Sequence, residues 1–416
     1  MGRTLQVLSR LILGCLFIFS GTVKAIDPIG SAIKVGEYLH SFGLEGWGGT
    51  EYGLSYALCV FEVVLGVFVI TGAFRRVTAT LLLLTMSGMT ALTFYIWQAN
   101  PVADCGCFGD ALKISNKATF VKNLVFLLPT VYLFWKRKDI YPLLPRSTHF
   151  LQLLLIVGGM GWFIYNSIAH LPPVDFRPYK VGVSLTTPPD EGDEDSSEYK
   201  FVYRKNGEER TFTLDELAGV DSTWTYVRQE GNPEPDKRSV VASTADFRLY
   251  NTKNEDITTA VLSSPKVALI LISDLHALKS WTNRKQDLQS FNSIISTHGG
   301  VVYFVIGGGI SPEQDNLLSH LCPYVSLARM DATTMKTIIR SNPGIMLLQN
   351  GVIVRKISGT DIVKEIQTPL FKNEPFAPLS WERWAWNLFR SFLPLVLLGA
   401  TLLIGVVIAW RKSCTR

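Results

Sequence analysis

"ALCVFEVVLGVFVITGAFRRVTATLLLLTM", residues 57–86, decides the fold. Two apolar runs flank the pair Arg75-Arg76, and each is long enough to matter to a bilayer. A bilayer core needs about 20 mostly apolar residues per spanning helix. Working outward from this stretch, six segments meet that length, roughly 6–25, 53–72, 78–97, 119–135, 150–169 and 389–410. The fourth is short and carries Pro129, which neighbouring helices can accommodate. Charged residues make up only 18% of the 416-residue chain and are unevenly spread, scarce in 11–135 and dense in 175–385. That asymmetry predicts a membrane block, a soluble block and a final membrane helix.

The basic residues set the orientation. Arg3 and Arg10 precede the first segment, Arg75 and Arg76 separate the second and third, Lys136, Arg137 and Lys138 follow the fourth, and Arg411, Lys412 and Arg416 follow the sixth. All four clusters fall on one side if every segment spans, and the positive-inside rule makes that side the cytoplasm. Both termini are then cytoplasmic. The loop 98–118 and the block 171–386 are then extracytoplasmic, in a periplasm if the cell has two membranes, where disulfides persist. The net charge of +5 is not a nucleic-acid signal, because the basic residues cluster beside apolar segments. A cleaved signal peptide over 1–25 is the rival reading, but Lys24 in "SGTVKA" fits a cleavage site poorly.

Glu62 stands near the middle of the second segment. A carboxylate there costs about 2.5–3.5 kcal/mol on insertion scales, so it needs a partner or a proton. Cys59, Glu62 and Gly66 share one helix face, as do Gly14, Phe17, Gly21 and Lys24 on the first helix. Small residues let helices approach closely, and a Lys24–Glu62 pair is expected. Its bland role is a structural ion pair; its sharper role is a proton-handling or quinone-side carboxylate. Asp27-Pro28 turns the chain, and 29–43 reads as an amphipathic segment on the interface.

"ADCGCFGD", residues 103–110, follows the third segment. Cysteines at i and i+2 reach disulfide distance only through a tight bend, and Gly106 supplies the backbone freedom for one. The resulting ring is small and strained, and strained disulfides have higher potentials. The pair therefore suits accepting electrons better than bracing a fold. Asp104 and Asp110 disfavour a thiolate, with Lys113 a partial offset. A passive disulfide, a soft-metal site with His40 the one nearby histidine, and bridges to other cysteines such as Cys59 remain open. Two thiolates alone rarely close a metal site, so none is expected.

"LILGCLFIFSGTVKAIDPIG" (11–30) with "FEVVLGVFVITGAFRR" (61–76) resembles the DoxX-type four-helix membrane domain. "DCGCFGD" (104–110) is similar to its MauE branch, the methylamine utilisation proteins. The resemblance covers roughly residues 5–138. It implies a supply of redox equivalents for thiol chemistry outside the membrane, with Cys105 and Cys107 as the redox pair and Glu62 as the membrane acid. MauE-like proteins are associated with maturation of a disulfide-rich dehydrogenase subunit; nothing here specifies methylamine. The arrangement also resembles DoxX-type fusion proteins of Bacteroidota.

The outer block opens with "LPPVDFRPYKVG" (171–182) and an acidic loop "PDEGDEDSSE" (189–198). "FVYRKNGEERTFTL" (201–214) is a hairpin around Asn206-Gly207 and "TWTYVRQ" (223–229) another strand, making a small β-rich unit. In 246–362, "VALILIS" and "VVYFVIGG" read as buried strands, "SWTNRKQDLQSFNSIISTHG" (280–299) and "EQDNLLSHL" (313–321) as helices, and "GIMLLQNGVIVRKI" (344–357) as a second hairpin. This order implies an α/β sheet with helices on its faces. It resembles the thioredoxin fold, with Pro343 where that fold places its cis-proline. The expected cysteine pair is missing: "SDLHALKSW" (273–281) stands there, and His276 and Cys322 are more simply a solvated loop residue and a buried small one.

The expected architecture is thus a membrane α-helical DoxX-like four-helix bundle (1–140), a fifth transmembrane helix (149–170), a β-rich unit with an acidic loop (171–245), a thioredoxin-like domain (246–362) and a C-terminal transmembrane helix (387–411). The leading function is extracytoplasmic thiol–disulfide exchange or electron relay through Cys105 and Cys107, with Glu62 and Lys24 supporting the bundle core. A quinone or a second dithiol protein would be the electron partner, and membrane lipid the surroundings. The alternative is a non-enzymatic, membrane-anchored docking factor that holds a client protein and whose cysteine pair is structural. A transporter finds little support, since no interrupted helices stand in matched halves.

Overall fold

The computed structural model describes residues 2–44, 49–99, 102, 104–186, 200–205, 208–212, 225–230, 246–273, 285–308, 325–378, 385–393 and 399. Six long helices come first: α1 (Gly2–Ile26), α2 (Pro28–Ser41), α3 (Thr50–Thr71), α4 (Arg75–Ala99), α5 (Asn116–Trp135) and α6 (His149–Ala169). Of these, α1, α3, α4, α5 and α6 are long and apolar enough to cross a membrane. The chain is a membrane protein. The helices stop and start where local chemistry says they should. Asp27 caps α2 by accepting from the Gly30 amide at 2.9 Å, with Pro28 at the first turn. Gly72 ends α3 in a left-handed conformation, its amide returning to Phe68 O at 2.8 Å.

Close approach of α1 and α3 organises the bundle. A Cβ on Gly66 would lie 2.6 Å from the Gly14 carbonyl, and one on Gly21 would lie 2.7 Å from the Cys59 carbonyl. Only glycine lets the two backbones come this near. One expectation about charge is corrected. Arg3 and Arg10 do not precede the first helix but lie within it. Arg10 is buried and donates to Val69 O (3.0 Å), Ile70 O (2.6 Å) and Tyr141 O (3.2 Å). The last carbonyls of α3 have no helical donors, and the guanidinium satisfies two of them. Residues 385–393 are helical; most of the sixth expected span, 389–410, falls outside the described residues.

The soluble part of the same compact unit holds five strands, β4 (Lys266–Ile272), β5 (Val301–Gly307), β6 (Ser326–Met330), β7 (Gly344–Gln349) and β8 (Val352–Ser358). Its helices are α7 (Thr258–Ser263), α8 (Lys285–Thr297), α9 (Ala332–Ile338), α10 (Ile362–Gln367) and α11 (Pro369–Asn373). Strand order is β6-β5-β4-β7-β8, with β4, β5 and β6 parallel and β7 and β8 antiparallel. This is the thioredoxin-type arrangement with an added edge strand, and the Asn342–Pro343 bond before β7 is cis. Central β4 is buried on both faces. Ala268, Ile270 and Ile272 enter one core with Phe291 and Phe371; Val267, Leu269 and Leu271 enter the other with Met335 and Met346. Such two-sided burial is why its sequence is continuously apolar rather than alternating. The expected helix 280–299 is seen as Lys285–Thr297, and the expected helix 313–321 lies outside the described residues.

Residues 187–245 form a separate unit. It contains an antiparallel sheet in the order β2-β1-β3, from β1 (Lys200–Lys205), β2 (Glu208–Phe212) and β3 (Thr225–Glu230).

Candidate functional site

The loop after α4 carries Cys105 and Cys107, and these two are joined as a disulfide with Cα atoms 5.4 Å apart. Gly106 makes the bend at φ +60°, and its amide donates to Asp104 Oδ1 at 3.1 Å. The Gly109 amide closes the turn onto Gly106 O at 3.0 Å. Both half-cystines are buried, packed with Ile96, Val102 and partly buried Tyr38. Bridges from the pair to other cysteines do not form: Cys59 is a free, buried thiol on α3.

A polar chain runs from this loop into the bundle. Ser20 Oγ donates to Cys107 O at 2.8 Å. Lys24 Nζ donates to Ser20 Oγ at 3.2 Å and to Glu62 Oε1 at 2.6 Å. Lys24 and Glu62 are 6% and 4% exposed, so each charge depends on the other. The close α1–α3 approach created by Gly14, Gly21 and Gly66 brings Lys24 within reach of Glu62.

The loop's outer face is held by other elements. Tyr38 of α2 donates its hydroxyl to Cys105 O at 2.6 Å. Burial, reinforced by Asp104 and Glu37, pushes that phenol well above its ordinary value, so it stays protonated as a donor. Lys34 Nζ lies 3.4 Å from Asp104 and 2.9 Å from Glu37. Burial alone would lower the Lys34 ammonium, but Asp104 and then Glu37 outweigh it and hold it above its ordinary value. The second aspartate is met from much further along the chain. Arg340, which follows α9, reaches Asp27 at 2.8 and 3.1 Å and Asp110 at 3.5 Å. The charges of Asp104 and Asp110 are therefore met at ion-pair distance by Lys34 and Arg340.

Three further ties join the bundle to the sheet. His170 Nδ1 lies 2.8 Å from both oxygens of Asp361. Ser358 Oγ donates to Ala169 O at 3.1 Å, and Asp175 binds Arg177 (2.8 Å) and Lys356 (2.9 Å) beneath β8. Burial pushes the Lys356 ammonium down to about 8, against the opposing pull of Asp175.

His276 and Cys322 lie outside the described residues. Among the described residues, no group of three or more His, Cys, Asp or Glu side chains is placed to hold a metal ion. Ser20, Lys34, Tyr38 and Arg340 were not anticipated as loop partners. Ser20 could have been found from its i, i+4 spacing to Lys24; the others carry no local signal.

These features define a class: a helical membrane bundle with a disulfide loop at one end, continuous with a thioredoxin-like domain. Residues 2–136 match the family model of methylamine utilisation protein MauE. Residues 197–232 match a domain of unknown function, DUF8463. No curated relative matches. Among solved structures, the thioredoxin domain of a thiol-disulfide oxidoreductase from Bacteroides vulgatus is similar at 16% identity and a TM-score of 0.24, over 29% of this chain and 90% of that one.

Proposed function

We propose that the protein is a membrane-embedded component of extracytoplasmic thiol–disulfide exchange in which Cys105 and Cys107 are the cycling pair. The observation that carries this reading is the disulfide's seat on a hydrogen-bonded chain, Cys107–Ser20–Lys24–Glu62, that leads into the bundle. A passive loop staple needs no such connection to a buried ion pair. Lys24 and Glu62 hold this end of the bundle rigid and keep a carboxylate beside the loop. The electron partner is a quinone or a second dithiol protein. The disulfide loop and the thioredoxin-like domain face the periplasm of a two-membrane cell, and both termini are cytoplasmic. The functional division follows the bundle 1–140, the helix 149–170, the units 171–245 and 246–362, and the final helix 387–411. With no Cys-x-x-Cys anywhere in 246–362, the thioredoxin-like domain serves as a docking module for the client.

The test is thiol trapping in intact cells with a membrane-impermeant maleimide. Cys105 and Cys107 should switch together between blocked and labelled as the medium is made oxidising or reducing. Permanent blockage, or permanent labelling, under every redox condition overturns the proposal. The missing Cys-x-x-Cys also favours the second reading, a non-enzymatic assembly factor. On that reading, replacing both cysteines by serine leaves the cellular phenotype intact, whereas deletion of 246–362 abolishes it.

A further inference from the structure

The two sulfurs of the pair do not have equivalent surroundings. Under the loop lies a cavity of about 30 Å³ whose wall includes Ser20, Glu62, Cys107, Phe108, Lys122 and Asn123. Cys105 is not part of that wall; it lines a second, smaller pocket together with Cys107, Asp104 and Lys113. The inner cavity is large enough for a water. Glu62, on its wall, keeps one oxygen unmet. Glu62 is 4% exposed, its Oε1 is taken by Lys24, and its Oε2 is buried with no hydrogen-bond partner. A buried carboxylate oxygen left bare is costly. Lys122 supplies a cation to the same space. Its Nζ sits 4.2 Å over the Phe108 ring, the residue next to Cys107, and among the described residues no carboxylate forms an ion pair with it.

We infer that this cavity is a proton-delivery site that makes Cys107 the leaving sulfur and Cys105 the sulfur that an incoming thiol attacks. The inference rests on the pair cycling, as proposed above. The thiolate of an external dithiol attacks Cys105 Sγ; a new S–S bond forms, and the Cys105–Cys107 bond breaks with its electron pair on Cys107 Sγ. That thiolate borders the cavity that Lys122 also lines, and takes its proton from the Lys122 ammonium. The dithiol's second thiolate then attacks its own sulfur in the mixed disulfide, releasing Cys105 as a thiolate that is protonated from the outer side. The external dithiol ends as a disulfide and the loop as two thiols. The two protons lost by the dithiol equal the two gained by the loop, one of them replacing the proton that the cavity gives to Cys107. General acids placed this way accelerate the departure of a poor leaving group, and a leaving thiol departs faster when its anion is stabilised.

The experiment uses the full-length protein in detergent, with glutathione as the attacking monothiol. Mixed disulfides are trapped by acid and N-ethylmaleimide, and their position is read by peptide mass spectrometry. Glutathione is expected on Cys105 and maleimide on Cys107, with the reverse product on the order of tenfold rarer or less. Lys122→Met should slow loop opening by roughly tenfold or more and erode the positional bias, while Lys122→Arg, whose guanidinium stabilises the thiolate but does not release a proton, should keep the bias without restoring the full rate. The wild-type result stands even if Lys122→Met fails to fold. Equal labelling of the two cysteines, glutathione mainly on Cys107, or an unchanged rate in folded Lys122→Met overturns the assignment but leaves a cycling pair intact. If glutathione attaches to neither cysteine, the exchange function itself falls, and this assignment with it.

Discussion

Lys24→Met isolates the energetics of the bundle's buried charge. In the native protein Glu62 Oε1 has the Lys24 ammonium at 2.6 Å, and Oε2 has no protein partner. Removing the ammonium leaves both oxygens bare at a site only 4% exposed. Breaking one half of a buried pair costs about 3–5 kcal/mol, or roughly two to nearly four decades of a folding equilibrium at 1.4 kcal/mol per decade. Glu62→Gln should cost less, because the ammonium it leaves behind still donates to Ser20 Oγ at 3.2 Å. Removing both charges together, as Lys24→Met with Glu62→Leu, should return stability to within about 1 kcal/mol of wild type or above it, since apolar replacement of a whole buried pair is often neutral or better. The assay is SDS-induced unfolding of the purified protein in mixed micelles, followed by circular dichroism. A Lys24→Met protein as stable as wild type would refute the reasoning. So would a double variant no better than the single one, because the penalty would then not come from a stranded carboxylate.

Gly66→Val places side-chain atoms where even a Cβ would lie 2.6 Å from the Gly14 carbonyl, so it should destabilise the bundle by about 1–3 kcal/mol in the same assay, whereas Gly88→Ala, with open space around its Cβ, should cause no loss. Arg340→Met should cost about 3 kcal/mol by stranding Asp27 and Asp110, with only partial rescue by Arg340→Lys, whose ammonium cannot reproduce the fork; equal melting temperatures for all three proteins would contradict it. Asp331→Ala removes the cap on the Thr334 amide (2.7 Å) and should lower stability by about 0.5–2 kcal/mol at neutral pH. The Thr334 amide holds the Asp331 carboxyl below its ordinary value, so its contribution is complete above the unfolded value of about 3.9 and is lost as pH falls through the folded one. Thermal melts from pH 7 downward should therefore show the Asp331→Ala deficit shrinking below about pH 4, and a constant deficit would count against the cap.

Much of the fold was legible because its signals are local. Apolar run length marked five helices whose observed bounds differ from the expected ones by a few residues. Asn350-Gly351 marked the β7–β8 hairpin, with both residues at positive φ, and the continuous apolar run of β4 marked a strand buried on two sides. The Cys-Gly-Cys spacing called for a bend at Gly106, and the bend is there. The Lys24–Glu62 contact was within reach of helical-face arithmetic, since both residues lie on faces that also carry the glycines of the α1–α3 contact.

What surrounds the loop was not legible. Lys34, Tyr38, Lys122 and Arg340 look in sequence like ordinary surface or interfacial residues. Arg10 reads as a topology charge, yet it is buried on the end of α3. The edge position of β6, beside β5, likewise follows from no local pattern.

The chain alone therefore determined which segments are long and apolar enough to cross a membrane, where the backbone must bend to join two cysteines, and which strands lie inside a sheet. Only the folded molecule decided which charges meet: Arg340 with Asp27 across 313 positions, Ser20 with Cys107 across 87, and Lys122 above Phe108. The division has a physical cause. Hydrophobic run length and backbone torsion act through neighbours in the chain, whereas an ionic partner is selected by distance in a packed, poorly polarisable interior, where a charge left unmatched costs several kcal/mol.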